Sequence, residues 1–224
     1  MTVQDRNAVV TREKLARTGT AASVGAMIAE RRLAERVQRI VDAEVPVLHL
    51  EPEVPTGVWP VVVDGLVDSP ASIPISEIHR RVPVVRYADL HCVWGWSRPA
   101  CRWEGIGLED LCGHVTPSSD ARFVLVTART SRYASCFTLQ EARAGLFAWR
   151  LDGAELRADR GWPIRFVPPS TKWAYKSVKW VERITFLDSF EPGPWEQRVG
   201  DPDGSVPWDV LQRFDVQTER WRRG

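Results

Sequence analysis

The spacing of apolar positions changes several times along the chain, and each change marks an element. From Val24 to Ala43, Met27, Ile28, Leu33, Val37, Ile40 and Val41 recur at helical spacing among Arg and Glu, which predicts one amphipathic helix. VPVLHLEPEVPTG at 45–57 is punctuated by proline, whose fixed φ and missing N–H bar a regular element of any length. It leads into VWPVVVDGLV, a strand whose Pro60 suits a sheet edge or a bulge. Beyond it, SEIHRR at 76–81, LEDLC at 108–112 and LQEARAGL at 139–146 read as short helices. FVLVTA at 123–128 reads as a buried strand, and VKWVERITFL at 178–187 as another that changes face near Val181. These helices are too short for crossovers, and no phosphate-binding glycine fingerprint follows a strand. The pattern therefore predicts a mixed, sheet-dominated α+β domain rather than a repeating βαβ unit.

The two ends differ from this middle. Residues 1–23 are polar and read as a loosely ordered terminus. After Glu191, PGPWEQRVGDPDGSVPWDV is rich in Pro, Gly and Asp and reads as a tail wrapping the surface. The division expected is an N-terminal extension over 1–44, a main domain over 45–196 and a tail over 197–224.

Composition narrows the function classes. With 44% hydrophobic and 26% charged residues the chain is an ordinary folded protein, which excludes disordered and collagen-like classes. Thirty Lys+Arg against 29 Asp+Glu leave no overall field for nucleic acid, and no apolar run approaches the ~18–20 residues that span a bilayer. The first residues lack the apolar segment of an export signal, so a cytoplasmic protein with reduced thiols is expected. Cysteines at 92, 101, 112 and 136 form no C-x-x-C pair, so zinc and thioredoxin-like motifs are absent. Eleven tryptophans point to a walled pocket.

Two segments concentrate chemistry. RYADLHCVWGWSRPACRWEGIGLEDL at 86–111 sets His91 and Cys92 among Trp94, Trp96, Trp103 and several arginines. A thiolate there is either a soft metal ligand or a nucleophile, and a small buried hydrophobe is the commoner fate of a lone cysteine. RGWPIRFVPPSTKWAYKSVKW at 160–180 holds Arg160, Arg165, Lys172, Lys176 and Lys179 with no acidic residue. Arg forks and Lys point charges beside Trp173, Tyr175 and Trp180 suit a phosphate-bearing ring ligand, whereas such runs are usually solvated faces. Cys101, Cys112 and Cys136 read as packing residues, His79 and His114 as surface groups, and Trp149, Trp180 and Trp195 as core or edge packing.

Together these segments resemble the bacterial sulfite-oxidase-like molybdopterin oxidoreductases. The resemblance runs from about 45 to 196 through PVLH, VDGLV, DLHCVWGWS, RWEGI, RFVLV, GWPIRFVPP and YKSVKWVERI, in that order. It implies the sulfite oxidase catalytic-domain fold and a molybdenum-molybdopterin cofactor with Cys92 as the protein thiolate on the metal. It also implies Arg165 and the Ser177-Val178-Lys179 stretch against the pterin and its phosphate, His49 over the same cofactor, and His91 and Lys176 as supporting contacts. Trp94, with Trp96 and Trp103, would exclude water and shape the substrate site, with Arg98 facing substrate.

The chain departs from the family pattern at three places: Trp94 replaces a small Thr, Arg160 a His or Asn, and Trp162 a Gly. Sulfite oxidases also carry an Arg very soon after the ligand cysteine, whereas this chain reaches its first at Arg98, which tilts the expectation toward reduction of an S-oxide or N-oxide. The expected partners are a small-molecule substrate and an electron donor or acceptor protein, without nucleic acid or a membrane span. Two other classes stand beside this one: a cofactor-free binding or interaction module that keeps the fold and presents the 24–43 helix, and a thiol hydrolase using Cys92 with His91 or His114.

Overall fold

The computed structural model describes residues 39–40, 54–93, 95–130 and 133–212. His49, Trp94 and nearly all of the expected 24–43 helix lie outside them. Its strands are β1 (Arg39–Ile40), β2 (Val61–Gly65), β3 (Ala71–Ile73), β4 (Val84–Cys92), β5 (Trp96–Ile106), β6 (Phe123–Ala128), β7 (Ala134–Thr138), β8 (Leu146–Leu151), β9 (Ala154–Glu155), β10 (Arg165–Val167) and β11 (Val181–Leu187). Its helices are α1 (Ile75–Arg80), α2 (Leu108–Cys112), α3 (Leu139–Ala144) and α4 (Pro194–Val199), with short 3-10 turns at Ala158–Arg160 and Ala174–Lys176.

One sheet runs β3-β2-β11-β6-β7, with β2 and β11 parallel and the other pairs antiparallel. The other runs β1-β5-β8-β10, with β4 added to β5 and β9 to β8. β6 alternates strictly, burying Val124, Val126 and Ala128, as a strand with one face on a core must. These meet Val61, Val63, Ile184 and Phe186 from their own sheet and Phe147, Trp149 and Phe166 from the other. The short helices close the same core with Ile75, Ile78, Leu108, Leu111 and Ala142. Among the described residues no helix is long and apolar enough to cross a membrane.

Several expectations hold residue by residue. α2 and β6 have the expected bounds, and the face change near Val181 is a register shift between Val181 and Arg183. Others are corrected. β2 is an interior strand between β3 and β11, and Pro60 precedes it, where its missing N–H costs no ladder bond. α3 stops at Ala144 because Leu146 opens β8. Its start is held by a capping box in which Thr138 accepts from the Glu141 N–H and Glu141 accepts from the Thr138 N–H. Arg39 and Ile40 are strand rather than helix, pairing in parallel with Trp96 and Ser97 of β5, a ladder that satisfies backbone groups on the side of β5 away from β4.

The tail does more than wrap the surface. Trp195, Val199, Val206 and Val210 are buried with Trp173 and Tyr175 in a cluster of their own. The backbone there is tied down as well, Trp173 N donating to Gly204 O and Val206 N to Thr171 O, both at 2.8 Å.

Candidate functional site

β4 and β5 form a hairpin whose tip carries Cys92. Gly95 closes the turn, its N–H donating to Cys92 O at 3.0 Å with φ of +83°, a conformation that a Cβ would strain. Cys92 stands opposite Trp96, and His91 opposite Ser97, in the returning ladder. The Cys92 residue is only 8% exposed, in a cluster with Leu90, Trp96, Cys101 and Trp103, against which Trp162 and Ala174 also pack.

The hairpin is knitted to the segment that follows β10. His91 is fully buried, bridges Trp173 in a short parallel ladder, and places Nδ1 2.6 Å from Ser97 Oγ. Burial drives its pKa down to about 4, so its contact with Asp89 Oδ2 at 3.8 Å is made by a neutral ring at pH 7. Asp89 joins three elements, its Oδ1 accepting from Ala100 N at 2.6 Å and its N–H donating to Ser170 Oγ at 2.9 Å.

Arg165 supplies positive charge beside this cluster. Its guanidinium lies 5.6 Å from the ring centroid of Trp103, which belongs to the Cys92 cluster. Nε donates to Ser177 Oγ at 2.8 Å and Nη1 to Arg160 O at 3.1 Å, while Ser177 Oγ donates to Phe166 O at 2.8 Å. Burial lowers its pKa to about 10, which leaves it cationic at neutral pH. Among the described residues no carboxylate lies within ion-pair distance of Arg165.

The other basic residues of the 160–180 run differ. Lys172 is paired with Glu141 at 2.7 Å and Asp203 at 2.8 Å. Lys176, expected as a supporting cofactor contact, forms a buried pair with Glu196 and donates to the carbonyls of Cys136 and Pro202. The pairing has a physical cause: an ammonium taken out of water needs a carboxylate, and α4 provides one. Lys179 Nζ donates to Asp159 O at 3.1 Å and lies over Trp180 at 4.5 Å. Val178 is core, so only its backbone is available to a ligand, and its C=O already accepts from Phe166 N.

Arg98, expected to face substrate, is held by Asp152 Oδ2 through Nη2. Nearby, Cys101 Sγ is 3.5 Å from Arg98 O. Burial pushes this thiol up to about 12, against the attraction of Arg98 and Arg165, while Asp152 and Asp89 add to the rise. Cys101 is thus an inert thiol. All four cysteines are buried thiols. His79 is half-buried rather than a surface group, whereas His114 is exposed as expected.

The fold therefore joins Cys92, His91, Trp96, Trp103, Arg165 and Ser177 across the hairpin tip and the β10 edge. Ser97, Asp89, Asp152 and Glu196 escaped sequence reasoning. A hairpin register counted from the CVWG turn would have found Ser97, and the Asp-Gly dipeptide marks the turn that carries Asp152.

Comparison with known proteins fits this geometry. The family model described as oxidoreductase molybdopterin binding domain matches residues 46–195. The uncharacterized oxidoreductase YuiH of Bacillus subtilis is 31% identical over 158 residues, 70% of this chain and 78% of that protein. The protein-methionine-sulfoxide reductase catalytic subunit MsrP of Ralstonia nicotianae is 29% identical, the match covering 61% of this chain and 46% of MsrP. The crystal structure of the sulfane dehydrogenase SoxCD from Paracoccus pantotrophus superposes with a TM-score of 0.54 at 17% identity, covering 71% of this chain and 53% of that one. The chain thus spans about half the length of the last two.

Proposed function

The chain belongs to the oxidoreductase molybdopterin-binding domain family, and from that premise we propose that it transfers oxygen atoms as a reductase of small, uncharged S-oxides or N-oxides. Its fold is the α+β fold of the sulfite-oxidase-like molybdenum enzymes, and its cofactor is molybdenum-molybdopterin. The observation that carries the reading is the joining of the Cys92 thiol, through Trp103, to the Arg165 cation within the matched segment.

The residues fit the cofactor. A phosphate-bearing pterin needs a cation that no carboxylate has neutralised, and Arg165 is that cation; its metal needs a soft donor, and the hairpin tip presents one. When bound, the cofactor supplies a two-electron redox centre at which an oxo group is exchanged. We assign Cys92 as the protein thiolate on the metal, and Arg165 with the Ser177–Lys179 backbone as the grip on pterin and phosphate. Ser177 holds the guanidinium in place, and the Ser97 hydroxyl holds the neutral His91 ring beside the ligand cysteine. Trp96 and Trp103, packed in one cluster with Cys92, exclude water from that side of the hairpin, and residues 45–196 are the catalytic unit.

The direction of reaction rests on two supports. MsrP is by name a sulfoxide reductase. Arg98, the first Arg after the ligand cysteine, is paired with Asp152 and so poorly placed to take an oxyanion. Reduction of an S-oxide to the thioether consumes two electrons and two protons and releases water, so a donor protein must supply the electrons. The buried thiols suit a reducing compartment, and we place the protein in the cytoplasm.

The test is molybdenum and pterin content of protein purified from a host that makes the cofactor. About one Mo per chain is expected, falling to background in Cys92→Ser, with viologen-linked reduction of dialkyl sulfoxides by the wild type. A folded wild type without molybdenum would sink this reading in favour of a cofactor-free binding module. Metal-independent hydrolysis lost in Cys92→Ser would point to a thiol hydrolase.

A further inference from the structure

Asp152 and Gly153 form the two-residue turn between β8 and β9, with Leu151 paired to Ala154. Both have positive φ, +53° and +83°, the mirror-image turn geometry that Asp-Gly favours. The turn directs the Asp152 carboxylate back across β5. There Oδ1 accepts from Arg102 N at 3.1 Å and Oδ2 takes Nη2 of Arg98.

Arg98 shares a sheet face with the proposed metal ligand. It stands opposite Leu90 as Trp96 stands opposite Cys92, and strand alternation puts all four side chains on one side of the hairpin. Cys101 Sγ lies 3.5 Å from Arg98 O, and Cys101 belongs to the buried cluster that holds Cys92 and Trp103, the ring over which Arg165 lies. Within the Arg98–Asp152 pair the carboxylate is the outward member, its side chain 41% exposed against 18% for Arg98.

An Arg fork is the side chain best shaped to bind an oxyanion, and a carboxylate held by one of its nitrogens competes for that role while adding a repulsive charge. We infer that Asp152 is the specificity-determining residue that sets the charge preference of the site: by holding Arg98 it withholds an oxyanion-binding guanidinium from the Cys92 face, and so favours uncharged oxo compounds over sulfite-like anions. The inference rests on the function proposed above.

Asp152→Asn tests it with little risk to the fold, because Asn-Gly is also a favoured dipeptide for this turn and an acceptor oxygen for Arg102 N remains. Sulfate, an unreactive oxyanion, is titrated calorimetrically into holoenzyme at constant ionic strength. The variant is expected to bind sulfate at least about tenfold more tightly than wild type, and Arg98→Met/Asp152→Asn to return to the wild-type affinity. Equal sulfate affinity in wild type and Asp152→Asn overturns the inference, as does a gain that survives in the double variant. Molybdenum per chain is measured on the same samples. Its absence refutes the cofactor reading whatever the sulfate result, whereas loaded enzyme without a sulfate gain refutes only the role of Asp152.

Discussion

Lys176 shows what a single residue must satisfy to be buried with its charge. Its side chain is 1% exposed, and its ammonium meets the Glu196 carboxylate, Cys136 O at 2.6 Å and Pro202 O at 3.0 Å. Glu196 in turn accepts from Gly193 N at 2.7 Å and Cys136 N at 3.1 Å. Burial pushes Lys176 down and Glu196 up, each toward its neutral form, and their mutual attraction opposes both. Removing one partner leaves the other uncompensated, which costs about 3–5 kcal/mol. Lys176→Met is therefore expected to lose that much in urea denaturation, with Lys176→Met/Glu196→Gln recovering part of it. A single-variant loss below about 1 kcal/mol would show that the pair contributes no more than an exposed one. In the sequence this lysine is indistinguishable from Arg165, since both stand in one basic run and the partner of Lys176 lies 20 residues away.

At the scale of elements, docking of short pieces replaces intrinsic stability. α1 has only six residues, too few to persist alone, and Ile75 and Ile78 anchor it in the core. His79 completes the contact, its Nε2 3.0 Å from Pro163 O and its ring 4.9 Å from that of Trp149. Burial lowers its pKa below the ordinary 6.5, against the pull of Pro163 O and Glu155. A depressed folded pKa means that the unfolded chain binds the proton first. The contribution is therefore whole above about pH 6.5 and is lost as pH falls toward the folded value. His91 adds a slope of the same sign down to about pH 4. His79→Phe should flatten the fall in unfolding free energy between pH 7.5 and 5.5, a slope that one proton limits to about 1.4 kcal/mol per pH unit. Identical slopes in variant and wild type would show that His79 stays protonatable in the fold. The sequence placed α1 within one residue, because apolar spacing is local; it read His79 as a surface group, because what covers a helix is not.

For the whole molecule, the tail determines how the site is backed. Residues 200–206 lie along 171–176, adding the Lys172–Asp203 ion pair and the bond from Tyr175 OH to Asp201 O at 2.7 Å to the backbone bonds. Val206 and Val210 bury against Trp173, the residue bridged to His91. Truncation at Val199 removes both valines, whose burial is worth about 1.5–3 kcal/mol each, and opens Trp173 to water. A red-shifted tryptophan emission and faster proteolysis around 171–177 are expected, and unchanged emission would show that the core alone covers Trp173.

The sequence by itself determined the alternation of β6, the short helices and the order of motifs that marks the family. All of these are set by backbone period and neighbours within a few residues. Only the tertiary structure decided which cations remain available to a ligand. The carboxylate that neutralises Arg98 lies 54 residues along the chain, one that takes Lys172 lies 31 residues away, and Arg165 meets none among the described residues. Charge compensation acts through space, so five basic residues that look equivalent in sequence become different groups once the chain has closed around them.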